Sequence, residues 1–125
     1  MSENRLPDYL DHMRQAATNA RSFVEGLTQD DFLEDKRTQQ AVIMNLIIIG
    51  EATTKAMNRY AEFIQTHSEI PWRDMRGMRN RIAHGYFDID LDVVWETVQI
   101  QLPELLKQLS AIRHDADDDQ TSEIR

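Results

Sequence analysis

The sequence predicts an all-α protein, an up-and-down four-helix bundle with one short extra helix and a disordered C-terminal tail. Three observations lead there. Apolar residues recur at three- and four-residue steps through the long stretches, the period of a helix with a buried face. The connections between those stretches are short, which makes successive helices antiparallel neighbours. No segment reads convincingly as a strand, and there are no internal repeats.

A chain of 125 residues fits one domain with a modest core. Without Cys it has neither a disulfide framework nor a thiolate metal site. The opening MSENRLPDYL lacks the cationic start and apolar run of a signal peptide. The longest apolar run, 41–49, is interrupted by Asn45 and is too short to span a bilayer. A soluble, cytoplasmic protein is expected, with no membrane partner. The formal net charge of −8 argues against a broad nucleic-acid-coating surface, though not against a local site for an anionic ligand.

In chain order, Pro7 and Asp8 open the first helix, with Leu6, Leu10, Met13, Ala17, Ala20, Val24 and Leu27 as its apolar face. Thr28 and Asp31 resemble a capping box in which Asp replaces the usual Glu, and Phe32 and Leu33 follow in a short helical turn. The second long helix runs from Lys36 to about Asn58. Its middle, AVIMNLIIIG, is apolar nearly all round, whereas a surface helix needs only one stripe. One side is expected to pack on its own bundle and another on a second subunit. Isoleucine also suits a buried strand, but the length and the following EATTKAMNRY favour helix. Gly50 allows close approach of a neighbouring helix. Glu51 follows Met44, Ile47 and Ile48 on an apolar face. Arg59 to Thr66 reads as a short helix or bent extension, and His67 to Glu69 as a loop. After a connector, FDID, either Asp90 or Asp92 starts the last helix, with Leu91, Val94, Val98, Leu102, Leu105, Leu106 and Leu109 on its core face. Pro103 inside that pattern should kink it or mark a break. From His114 the dense acidic run HDADDDQTSEIR has no apolar periodicity and reads as a tail. The domain is therefore expected over 1–113 and the tail over 114–125.

The chain is organised around 72–86, WRDMRGMRNRIAHGY, which gathers Arg73, Arg76, Arg79, Arg81 and His84 in an otherwise acidic protein. Pro71 suits the first turn of a helix, and Gly85 can end it. Trp72, Met75, Arg79, Ile82 and Tyr86 make a helical stripe, so Arg79 falls among apolar residues. A buried guanidinium needs an anionic partner, and Glu51 is the natural candidate. Arg76, Asn80 and His84, four apart, form a second, polar row.

Arg79, four residues, His84, one residue and Tyr86 spell R-x4-H-x-Y, and Asn80 adds an Arg-Asn start. In this the chain resembles the HepT-like proteins of the HEPN superfamily. The apolar helix ending in IIIGEA resembles that family's second helix, and the likeness spans the chain from first helix to last, leaving out the tail. The resemblance implies a metal-independent endoribonuclease that acts as a toxin and is dimeric, with the motif near the subunit interface. It implies RNA as substrate and a minimal nucleotidyltransferase antitoxin as partner. In some members that antitoxin transfers AMP to the motif tyrosine, here Tyr86.

The residues suit the same chemistry. RNA is cut without metal if a base takes the 2′-hydroxyl proton and cations stabilise the charge at phosphorus. Histidine is the side chain whose unperturbed pKa suits that base, which makes His84 the candidate, Arg79 suits the phosphate oxygens, and Asn80 could hold a phosphate or orient His84. His12, His67 and His114 show no metal-ligand spacing, so neither metal nor cofactor is expected. On an unbroken helix Arg79 and His84 would point roughly 140° apart at about 100° per residue. Either the helix opens near Gly85 or the site combines two chains. Blander roles remain open: His84 as a helix-terminal cap, Arg79 as a structural ion pair with Glu51, Tyr86 as a core aromatic, and Arg73, Arg76 and Arg81 as a solvated face. The alternative function is a non-catalytic HEPN module that binds a nucleotide or a partner.

Overall fold

The computed structural model describes residues 4–85 and 88–124, with side chains at all of them except 114 and 117–124. The elements are α1 (Leu6–Phe23), α2 (Gln29–Glu34), α3 (Lys36–Arg59), α4 (Ala61–Thr66), α5 (Trp72–Arg76), α6 (Met78–Ile82), α7 (Leu91–Glu96), a π-helical turn (Thr97–Gln101) and α8 (Leu102–Ile124). Among the described residues there is no strand, and the one isolated bridge joins Ala83 to Ile89 antiparallel. The all-α bundle expected from the periodicity is what forms. α3 is its centre: α1 lies along one side of it, and α5 and α6 cross another, while α8 covers α1.

The periodicity of α1 becomes its buried face, with Leu6, Leu10, Met13, Ala17 and Ala20 inside. Tyr9 and Ala16 widen that face, which lets α1 contact both α3 and α8. The Thr28–Asp31 capping box is present: the Thr28 hydroxyl accepts from the Asp31 N–H at 3.1 Å, and the Asp31 carboxylate accepts from the Thr28 N–H at 3.0 Å. It aims Phe32 into the core, where its ring lies 5.4 Å from that of Trp95 on α7. Asn45, the interruption in the apolar run, is buried and donates to the Ala41 carbonyl one turn earlier at 2.9 Å. Its amide is thereby satisfied within the helix.

Asp35 caps α3. Its carboxylate accepts from the Thr38 hydroxyl at 2.6 Å and the Thr38 N–H at 3.1 Å. These bonds, the hydroxyl first and the backbone second, hold its pKa below the ordinary value for Asp. A folded-state pKa lower than the unfolded one means the stabilisation is present at neutral pH and is lost as pH falls through the folded value. Asp35→Ala should therefore melt below the parent at neutral pH, with the gap closing in strong acid. A gap of constant size across that range would mean the cap acts without its charge.

Pro103 does not break the helix, which runs on through it to Ile124, and a π turn lies one turn upstream. Proline has no N–H, and its ring crowds the carbonyl four residues back. The helix widens there into the π turn, in which the Leu102 N–H reaches the Thr97 carbonyl. In that spacing the carbonyl of Val98 would look to the N–H of residue 103, which is proline. Arg21 on α1 supplies the missing donor, reaching the Val98 carbonyl at 3.3 Å and the Gln99 side chain at 2.9 Å. The start of the helix follows the sequence too: Asp90 caps α7, accepting from the Val93 N–H at 3.1 Å.

Contacts of α8 with the body reach past residue 113. Ala116 is buried, its carbonyl accepts from the Asn4 amide at 3.2 Å, and Asp115 meets the imidazole of His67 at 2.9 Å. The helical backbone continues to Ile124. Ala116 lies four residues after buried Ile112, so it prolongs the core face by one turn inside an acidic run. No helix among the described residues is long and apolar enough to cross a membrane.

Candidate active site

The stretch 72–86 is not one helix. Gly77 ends α5 and begins α6, and α6 stops at Ile82. Trp72 and Met75 on α5, with Met78 and Ile82 on α6, form the buried edge. Arg79, expected within that edge, is exposed. Residues 78 and 79 both border a stripe of this period, and burying a thioether costs far less than burying a guanidinium. Met78 therefore takes the inside position. Glu51 is exposed as well, and among the described residues neither it nor Arg79 has an ion pair or a side-chain hydrogen bond. The expected buried Arg79–Glu51 pair does not form.

Gly50 lets this corner sit directly on α3. A Cβ there would lie 3.2 Å from the Met75 carbonyl, 3.6 Å from that of Arg76 and 3.7 Å from the Met78 Cβ. The close approach expected at Gly50 is that of the motif segment itself. Arg81, for which a solvated face was the blander alternative, is half-buried and donates to Gln101 at 2.7 Å, which ties α6 to the π turn.

Beyond Ile82 the backbone turns back on itself. Ala83 is extended and pairs with Ile89. The His84 N–H donates to the Asp88 carbonyl at 2.8 Å, and the Asp90 N–H donates to the Ile82 carbonyl at 2.8 Å. Gly85 has φ +144°, a conformation that disfavours any residue with a Cβ. The helix thus opens two residues before His84, and the ideal-helix separation of Arg79 and His84 does not apply. His84 is presented on a loop whose backbone is hydrogen-bonded on both arms. Tyr86 lies outside the described residues.

Arg76, Arg79, Asn80 and His84 are all exposed, on α5, on α6 twice, and on the loop. None has a side-chain hydrogen bond or ion pair among the described residues. α3 also carries exposed apolar side chains, on the second side expected of it. Met44 is 58% exposed and Ile48, one turn on, is 38% exposed, while Val42, Leu46 and Ile49 face the core. Glu51 continues that exposed row.

The sequence matches the family "Ribonuclease HepT-like" over residues 13–112. It is 41% identical over 106 residues to the "Probable ribonuclease HepT" of Thermococcus cleftensis, an overlap of 85% of this chain and 94% of the relative. It is 36% identical over 104 residues to a "Putative RNase" of Caldanaerobacter subterraneus subsp. tengcongensis, covering 83% and 90% of the two chains. A protein so named in Methanocaldococcus jannaschii is 33% identical over 119 residues, covering 95% and 93%. No solved structure matches the chain. With a family match across most of its length and relatives covered almost end to end, the chain belongs to the HepT-like ribonuclease family.

Proposed function

We propose that the protein is the toxin of a toxin–antitoxin pair, an endoribonuclease that cuts RNA without a metal ion. The observation that carries this is the set of unpartnered side chains at the α5–α6 corner. Two guanidinium groups, a carboxamide and an imidazole are exposed around a backbone held firmly on both sides. In the reaction, the His84 imidazole takes the proton of a ribose 2′-hydroxyl. The 2′-oxygen attacks the adjacent phosphorus, and the bond to the 5′-oxygen breaks. The products are a 2′,3′-cyclic phosphate and a 5′-hydroxyl. Arg79 stabilises the negative charge on the phosphoryl oxygens. Arg76 and Asn80 support it by holding the neighbouring phosphate.

The working form is a homodimer built on the exposed face of α3. A two-fold axis near Met44 and Ile48 would bury both copies of that face. Glu51, on the same row, would then reach across to the second copy's arginines. The second His84 would be available to return the proton to the 5′-oxygen. The antitoxin is a minimal nucleotidyltransferase. It neutralises the toxin through attack of the Tyr86 phenol oxygen on the α-phosphorus of a nucleoside triphosphate, with pyrophosphate leaving. An AMP two residues from His84 blocks RNA by charge and by volume.

The test is incubation of purified, unmodified protein with a mixed RNA pool in excess chelator. Cleavage products ending in 2′,3′-cyclic phosphate are expected. Intact RNA in chelator, with cleavage restored by a divalent ion, would overturn metal independence. Intact RNA under both conditions, from protein whose mass shows no adduct on Tyr86, would favour the non-catalytic nucleotide-binding module.

A further inference from the structure

A groove of about 570 Å³, with Arg73 in its lining, is bounded by the end of α3, α4 and the start of α5. That volume is within the usual range of small-molecule sites, about 300–1,000 Å³. Its floor is apolar, with Met57, Ile64 and Trp72, and its polar groups are Gln65, Ser68 and Arg73. Gln65 and Ser68 are exposed, and their side chains have no partner among the described residues. Arg73 lines the groove, and Arg73, Arg76 and Arg79 are each exposed and unpartnered among the described residues. Asp74, Glu62 and Glu69 are the nearby acids in sequence, and none lines the groove.

We propose that this groove receives the base of a nucleotide flanking the cleaved bond, with Arg76 and Arg73 leading the RNA backbone to it from Arg79. The inference rests on the ribonuclease reading above and extends it to substrate selection. Single-stranded RNA is recognised by splaying a base onto an apolar surface and reading its edge with polar side chains, while cations follow the phosphates. All three components are here in continuous order. Arg73 and Arg76 lie on α5 and Arg79 on α6, so the cations come from both helices of the corner. The carboxamide of Gln65 offers both a donor and an acceptor to a base edge, and the Ser68 hydroxyl can do either.

The experiment uses full-length protein and a 2′-O-methylated RNA tetramer, which cannot be cut by attack of its own 2′-oxygen. A photoreactive thiouridine is placed at each position in turn, and the cross-linked peptide is identified by mass spectrometry. One flanking position should cross-link within 57–73. In binding, Arg73→Gln should reduce the preference for tetramer over dinucleotide by roughly tenfold, the size of a single base or phosphate contact. Gln65→Leu should change the ranking of the four bases at the cross-linking position while the parent's fold, by circular dichroism, is retained. Cross-links confined to α6 and the loop after it, in protein that still cleaves unmodified RNA, would overturn the groove assignment and leave the ribonuclease reading intact. RNA that neither binds nor is cleaved would remove both.

Discussion

Replacing His84 by alanine is expected to lower the rate of RNA cleavage by about 10²- to 10⁴-fold, the usual contribution of a positioned general base. The melting temperature should stay close to that of the parent. The imidazole is exposed and has no hydrogen bond among the described residues, and the loop is held by backbone bonds to Asp88 and between Asp90 and Ile82 that alanine preserves. A helix-capping histidine would behave the other way round, costing stability and sparing the rate. Arg79→Ala should act in the same direction through the lost charge on the phosphoryl oxygens, again without destabilisation, because Arg79 is unpaired at the surface. Arg79→Lys should recover little, since an ammonium lacks the planar fork that meets two phosphate oxygens together. Cleavage assays beside thermal melts check both variants. Full activity in His84→Ala would remove the residue from the reaction.

Gly50→Leu is expected to remove most activity and to destabilise by about 1–3 kcal/mol, the range for overpacking a well-filled interior. The smaller change, Gly50→Ala, sets two effects against each other. Alanine gains roughly 1 kcal/mol of helix propensity over glycine. Its Cβ would lie 3.2 Å from the Met75 carbonyl, so the α5–α6 corner must retreat by a few tenths of an ångström. Those terms are of similar size and stability should change little. With leucine the propensity gain is similar, but three further carbons must enter where α3 meets the backbone of Met75 and Arg76. The steric term then dominates and α5–α6 is lifted off α3. Because Arg76, Arg79, Asn80 and the His84 loop all ride on that corner, activity should fall even at temperatures where the variant is folded. Melting curves and cleavage rates on the same preparation separate the two. A folded Gly50→Leu with parental activity would show that the corner's seat on α3 does not position the site.

Much of the fold was legible because its signals are local. The stripe in α1, the Thr28–Asp31 box and the Asp90 cap each depend on residues within a turn or two of one another. That Pro103 would disturb its helix was legible as well, since a missing N–H acts locally, but the form, a π turn and not a break, was not. Its remedy was not, because Arg21 lies far away in sequence on α1. The nearly all-round apolar α3 was legible as having more apolar surface than one bundle needs, and Met44 and Ile48 are the excess. Ala116 escaped notice because one small apolar residue in an acidic run makes no periodic signal.

For the candidate site, the sequence by itself determined the order and spacing of the candidate residues, because R-x4-H-x-Y is read along the chain and needs no coordinates. Only the tertiary structure decided how they stand. Period alone allows either Met78 or Arg79 on the inside edge, and what chose Met78 was the backbone of α3 at Gly50, where only an uncharged side chain is cheaply buried. Period alone also carries the helix on to Gly85, and what stopped it at Ile82 was the pairing of Ala83 with Ile89. Both decisions were made by contacts between segments, which a one-dimensional pattern does not contain.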